Sequence, residues 1–184
     1  IFPVKAITAI SNQALIAVEG KGMMGVPGVA AKIFSALGTC GISVSVISQA
    51  SSESSICFVV PGDEAPTAQE LLQSAFALEI SQGLIDSIRV DRSIAVIAVV
   101  GMGMRGARGI AARTFSALAE ADVNIIAIAQ GSSELNISMV VNGEDIAKAI
   151  QSLHNEYRLH KTKPLPSPTG NEANLVIFGV GQIG

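Results

Sequence analysis

Three stretches carry the spacing G-x-G-x-x-G: Gly20, Gly22 and Gly25 in VEGKGMMGVPG, Gly101, Gly103 and Gly106 in VVGMGMRGARG, and Gly179, Gly181 and Gly184 in VIFGVGQIG. Glycines so spaced between a strand and a helix let backbone N–H groups close on a dinucleotide pyrophosphate at the helix N-terminus. In a reduced form the same chemistry holds a smaller anion, such as the carboxylate of a free amino acid. A dinucleotide site also needs parallel strands to follow and an acidic residue about 20 residues on to hold the ribose. In the first two stretches that place is taken by Gln49 and Gln130. These loops therefore read either as small-anion sites or as tight turns whose glycines only permit φ > 0. Cys40 and Cys57 fit no metal-ligand spacing and stand where apolar residues would serve, so they read as reduced thiols in or near the core. His154 and His160, six residues apart near the end of the last helix, have no acidic orienter in register and read as surface residues.

The elements that must position these loops follow from a duplication. With Ala14 laid on Ala95, ALIAVEGKGMMGVPGVAAKIFSAL answers to AVIAVVGMGMRGARGIAARTFSAL, and ISQASSESSICFVV to IAQGSSELNISMVV, without a gap to Val60 on Val141 and with about half the positions identical. Such repeats decide a fold before anything else does. Upstream, Val4 falls on Ile85 and Ile7 on Ile88, so each repeat opens with an extra short strand, at 4–10 and at 85–91. Ala14 to Val18 is an apolar run suited to a central strand. Val29, Ile33, Phe34 and Leu37 share one helix face, and Pro27 suits a helix opening. Ile42, Val44 and Val46 alternate with serines as a strand with one apolar face. The gap to the next apolar run, ICFVV, is too short for a parallel crossover, so the pair is an antiparallel hairpin. A second helix is expected near 67–78 and 144–156, with about three extra residues before it in the first repeat. The order β, β, α, β, β, α, twice, predicts an α+β fold of two ferredoxin-like βαββαβ units, intertwined or side by side, with antiparallel sheets and helices on one face. The hairpins leave no room for the parallel strands of a nucleotide fold.

Composition narrows the function classes. The 184 residues are 49% hydrophobic and 15% charged, enough for a well-filled core. A net charge of −3 without a basic stripe, and 4% aromatic residues, give neither a phosphate-tracking surface nor a stacking platform, so no nucleic-acid partner is expected. No apolar run approaches the roughly 18–20 residues of a membrane helix. The opening IFPVKAITAI has no basic segment leading into a long apolar core. The expected location is cytoplasmic, with no membrane partner.

GVPGVAAKIFSAL together with ISVSVISQ resembles the tandem ACT domains of aspartokinases, modules that sense small molecules in amino-acid biosynthesis. NLVIFGVGQIG, after the Pro-rich KTKPLPSPTGNE, resembles the first strand and glycine turn of a homoserine dehydrogenase nucleotide domain. The combination resembles the regulatory region of the bifunctional aspartokinase-homoserine dehydrogenase family over essentially the whole chain. The resemblance implies ACT unit 1 over 1–80, ACT unit 2 over 81–160, a linker over 161–173 and a truncated dehydrogenase strand and turn over 174–184. It implies no catalytic residue and no metal or cofactor in this fragment. NAD(P) and ATP with Mg2+ belong to catalytic domains elsewhere in the parent, in the plastid stroma if the source is a plant. Gly179, Gly181 and Gly184 are the parent's cofactor turn, not expected to bind here, and as an isolated strand and turn this end is expected to be disordered or loosely packed.

For the ACT units the resemblance implies feedback control with L-threonine as effector. Its contacts would be Gly22, Met23, Met24, Gly25, Pro27, Gly28 and Gln49 in the first unit, and Gly103, Met104, Arg105, Gly106, Arg108, Gly109 and Gln130 in the second. Backbone N–H groups suit the carboxylate of threonine, main-chain carbonyls its ammonium, and a glutamine amide its hydroxyl. Arg105 and Arg108 in place of Met24 and Pro27 either add charge near that carboxylate or are solvated loop arginines. The resemblance also implies self-association through ACT edges, sheets meeting side by side, effector clefts between units, and contact with the parent's kinase and dehydrogenase domains. Alternatives are a lysine-sensing region of a monofunctional aspartokinase, for which Glu19, Glu53 and Glu134 are the nearby acids, a nicotinamide-dependent enzyme, and a dimerisation module that senses nothing.

Overall fold

The computed structural model describes residues 3–49, 54–159 and, as backbone, 175–178. The strands are β1 (Ala6–Glu19), β2 (Ile47–Gln49), β3 (Ser55–Pro61), β4 (Ser87–Val100), β5 (Ile125–Ala129), β6 (Asn136–Asn142) and β7 (Leu175–Phe178). The helices are α1 (Val29–Thr39), α2 (Ala65–Ala75), α3 (Ala77–Ser81), α4 (Ile110–Glu120) and α5 (Ile146–Tyr157). The leading strands expected at 4–10 and 85–91 do not stand apart from the strands that follow them. Each is continuous with its successor, as β1 and as β4. No proline or glycine interrupts either run, and Asn12 absorbs the bend in β1 at φ 54, a left-handed conformation that asparagine tolerates.

Contacts divide the chain into a first-repeat unit, residues 12–93, and a second-repeat unit, residues 1–11 with 94–184. The division runs through both long strands, so the front of β1 belongs with the second repeat and the front of β4 with the first. A compact unit is therefore not a contiguous stretch such as 1–80 or 81–160. Of the two ways the sequence leaves open for completing each sheet, the chain uses exchange of leading strands.

In the first-repeat unit the strand order is β2, β3, β1, β4, with β1 antiparallel to β3 from Gln13↔Pro61 to Glu19↔Ser55. Ala14, Ile16 and Val18 alternate inward and meet Phe58 and Val60 of β3, Ile33 and Leu37 of α1, and Ala68 and Leu72 of α2. Ile85, from the exchanged segment, closes this core, and the Asp86 N–H donates to the Glu19 carbonyl at 2.8 Å. The second-repeat unit repeats the scheme. Ala95, Ile97 and Val99 face Leu118 of α4 and Leu153 of α5, Val4 takes the place of Ile85, and the Lys5 N–H donates to the Val100 carbonyl at 2.8 Å. Burying an aliphatic side chain of this size is worth about 1.5–3 kcal/mol, so each exchanged segment is held by its core residue as much as by hydrogen bonds.

Several expectations are corrected. No extra residues precede the second helix of the first repeat: Pro61 ends β3 and Asn142 ends β6 at the same offset of 81, and a short 3₁₀ turn leads into each helix. The first repeat differs instead at the far end, where α2 stops at Ala75 and α3 follows. The strand expected over Ile42 to Val46 forms its regular ladder at 47–49, although Ile42 and Val46 are buried and Ser45 and Val46 bond to Val59. Burial of an apolar face did not require a regular ladder. Cys40 ends α1 exposed, while Cys57 in β3 is half-buried and its burial pushes the thiol pKa up. His154 is half-buried on α5. Leu175–Phe178, expected to be disordered or loosely packed, forms β7 antiparallel to Ile7–Ile10 of β1. Among the described residues no helix is long and apolar enough to cross a membrane, and no group of three or more His, Cys, Asp and Glu is placed to hold a metal ion.

Candidate functional site

The glycine loops are built around the exchanged strands. Gly20 and Gly101 have φ of 178 and 177, extended backbone that any residue adopts, so their conformation does not call for glycine. Their neighbours do. A Cβ on Gly20 would lie 2.2 Å from the Leu84 carbonyl oxygen, and one on Gly101 2.1 Å from the Pro3 carbonyl oxygen. Gly22 meets the same segment, since its Cβ would lie 2.6 Å from Leu84 Cα. Farther along, Gly28 and Gly109 cap α1 and α4 in the left-handed region, at φ 92 and 82. Close approach thus accounts for Gly20, Gly22 and Gly101, and left-handed backbone for Gly25, Gly28, Gly106 and Gly109, without a nucleotide.

In the first-repeat unit the loop passes through a 3₁₀ turn, Lys21–Met23, pinned by the buried side chain of Met23. Gly25, Pro27 and Gly28 then line a cleft of about 410 Å³ together with Met23, Val26, Val29, Gln49 and Ile56. Pockets for small molecules run from about 300 to 1,000 Å³. Gln49 is placed there by the hairpin, opposite Ile56 in the β2–β3 ladder. No described side chain caps α1, and its first turn carries no acidic residue, so the positive end of the helix faces the loop without a neutralising carboxylate of its own. The structure thus brings five predicted residues into one cleft: Met23, Gly25, Pro27, Gly28 and Gln49. Gly22 packs on Leu84 instead, and Met24 is exposed outside the cleft lining. Glu19 is already engaged, accepting from Arg89 Nη2 at 2.5 Å and Ser87 Oγ at 3.1 Å.

The second loop has the same frame and different chemistry. Met104 is buried as Met23 is, while Gly103, Arg105, Gly106, Arg108 and Gly109 are exposed, as is Gln130 just past β5. The Gly106 N–H donates to Oε2 of Glu134 at 2.8 Å. A carboxylate of the chain therefore reaches the loop that was read as a carboxylate site, from a hairpin residue in the left-handed region at φ 57. Sequence reading had counted Glu134 only as a nearby acid. It also missed the buried pair Thr114 and Tyr157, whose hydroxyl oxygens lie 2.7 Å apart. The repeat offset is the signal that would have found them, since it sets them against Ile33 and Phe76. Gly179, Gly181, Gly184, Glu53, His160 and the linker lie outside the described residues.

The ACT domain family matches residues 16–76 and 97–157, one segment in each repeat. The chain belongs to the ACT domain family. Its ACT region is 45% identical over 160 residues to a chloroplastic bifunctional aspartokinase/homoserine dehydrogenase of Arabidopsis thaliana, covering 87% of this chain and 18% of the relative. It is 42% identical over 181 residues to the bifunctional aspartokinase/homoserine dehydrogenase of Haemophilus influenzae, covering 98% and 21%. The chain thus spans about a fifth of the length of these relatives. Among solved structures, the regulatory subunit of aspartate kinase from Thermus thermophilus, in a ligand-free form, superposes with a TM-score of 0.73 at 29% identity, covering 84% of this chain and 98% of that one. Tandem ACT units of the aspartokinase regulatory type are what these comparisons share.

Proposed function

We propose that this chain is the effector-sensing region of a bifunctional aspartokinase-homoserine dehydrogenase, and that it binds L-threonine and feedback-inhibits both activities. The observation that carries this is the first-repeat cleft, where the glycine loop, the start of α1 and Gln49 converge. A carboxylate on the backbone N–H groups and the hydroxyl on the Gln49 amide are the two recognitions such a cleft offers. NAD(P), ATP and Mg2+ are then substrates and cofactors of flanking catalytic domains, reached through self-associating ACT units. Lysine is disfavoured as the effector because its side-chain ammonium needs an acidic partner, while Glu19 is held by Arg89 and Ser87 and Glu134 accepts from the Gly106 N–H. Inhibition requires threonine to favour one arrangement, and a coupling of about 1–3 kcal/mol changes activity about 5- to 150-fold.

Isothermal titration with L-threonine, with L-lysine and NADH as controls, tests the proposal. Threonine should bind, and Gln49→Ala, at a position exposed in the ligand-free chain, should weaken it by about 2- to 12-fold, the net worth of one hydrogen bond at about 0.5–1.5 kcal/mol. Heat from lysine or NADH alone, or from no ligand, overturns it.

A further inference from the structure

We infer that Tyr157 is a positioning residue for the glycine loop of the second repeat, through a polar clasp that the first repeat lacks. The inference rests on the reading of both glycine loops as threonine sites.

Thr114 Oγ1 donates to the Ile110 carbonyl at 2.9 Å, and the Tyr157 hydroxyl lies 2.7 Å from Thr114 Oγ1 and 3.1 Å from the same carbonyl. Thr114 is wholly buried and Tyr157 is 3% exposed, so neither hydroxyl has bulk water as an alternative partner. Ile110 is the first residue of α4, directly after the left-handed Gly109. One residue before each hydroxyl, Arg113 Nε donates to Glu156 Oε1 at 2.6 Å, while its guanidinium lies over the Tyr157 ring at 5.0 Å. The last turn of α5 therefore grips the first turn of α4, and with it one end of the loop.

The other end is held too. Pro3 passes directly over Gly101, and the Lys5 N–H bonds to the Val100 carbonyl. The loop is thus tied at both ends to segments leading into β1 and out of α5. In the first repeat the equivalent positions are Val29, Ile33 and Phe76, which carry no side-chain hydroxyl. Only the stacked cation remains, Lys32 lying over Phe76 at 4.7 Å, and it pairs instead with Glu79 of α3. The first loop can adjust its helix start without breaking a buried bond; the second cannot.

Tyr157→Phe removes one oxygen and keeps the ring under Arg113. In a Gln49→Ala background, which leaves the second site to be read, it should weaken threonine binding about 5- to 20-fold, the loss of one hydrogen bond of the positioning network. In a Gln130→Ala background, which leaves the first site, affinity should not change. The pair Thr114→Ile with Tyr157→Phe, which installs the apolar pair of the first repeat, should recover the thermal midpoint and leave the second site weak. Equal weakening at both sites, or recovery of affinity with the midpoint, would make Tyr157 merely structural and overturn the inference. Amide exchange at Arg113 and Thr114 in the ligand-free chain gives a reading that needs no effector. It should speed up in Tyr157→Phe, and unchanged exchange overturns the clasp even where threonine binds. Faster exchange in a chain that binds no threonine would leave the clasp standing and overturn both the effector reading and the positioning role built on it.

Discussion

If the first glycine of each G-x-G-x-x-G exists for the exchanged strand, Gly20→Ala should damage the fold although the residue adopts an ordinary extended conformation. The added Cβ would stand 2.2 Å from the Leu84 carbonyl oxygen and 2.7 Å from Ile85 Cα, where ordinary contact is 3.4–4 Å. Both neighbours are backbone, so no rotamer change relieves the clash, and Leu84 to Asp86 must retreat by roughly 1 Å or more, given the steep cost of such overlap. That movement strains the 2.8 Å bond from Asp86 to Glu19 and lifts Ile85, 3% exposed, from the core. Losing much of one buried aliphatic side chain and one hydrogen bond costs about 2–4 kcal/mol. Gly101→Ala should act alike through Pro3, Val4 and Lys5. Gly28→Ala is the contrast: a Cβ there meets nothing within 4 Å, and the only cost is the left-handed conformation, about 1–2 kcal/mol. Urea denaturation of the three variants, with midpoints converted at a common slope, measures the differences. Gly20→Ala within about 0.5 kcal/mol of the wild type, the usual range for surface substitutions, would refute the close-approach argument. So would a larger loss from Gly28→Ala.

Two further outcomes follow from burial. A thiol reagent at pH 8 should label exposed Cys40 several-fold faster than Cys57, whose thiol is half-buried and pushed up by burial despite a hydrogen bond with Ser48, with equal rates by mass spectrometry counting against this. Burial also pushes the Tyr157 phenol above its ordinary value. Its folded pKa then exceeds the unfolded value of about 10, so its contribution to stability is complete below about pH 10 and is lost as pH rises through the folded pKa. Tyr157 is the single tyrosine of a chain without tryptophan, so phenolate absorbance reports on it alone. The midpoint should lie above pH 10 in the native chain and fall on unfolding, and a native midpoint at or below 10 would contradict the burial.

The fold class was legible because the duplication doubled every signal. Ala14, Ile16 and Val18 alternate inward as Ala95, Ile97 and Val99 do, and both pairs of helices start at one offset of 81 residues. Strand exchange was not decided by sequence, because Val4 and Ile85 are equally apolar and fit either sheet. What decides it is the joining of each leading strand to its successor without a break. At the site, the glycines and Gln49 were legible as types, but the close approach of Leu84 to Gly22 was not. Spacing shows that a position needs glycine without showing what approaches it. Glu134 was hidden for a related reason: its contact with Gly106 depends on how the β5–β6 hairpin folds back, over a separation of 28 residues.

The two loops also show why identical scaffolding does not imply identical response. Both repeats keep a buried methionine at the turn, a left-handed glycine at the helix start and a glutamine at or beside the end of a hairpin strand. Around the second, the chain adds a buried hydroxyl network at the helix start. On the proposed effector reading, the Glu134 carboxylate on the Gly106 N–H would compete with an effector carboxylate and weaken binding there. On the same reading, the network, by holding the start of α4 in one place, would lower the ordering cost of binding and strengthen it. Opposed terms of this kind let a duplicated site drift in affinity while its fold stays fixed, because neither Glu134 nor Tyr157 alters the strand exchange that Gly20 and Gly101 require.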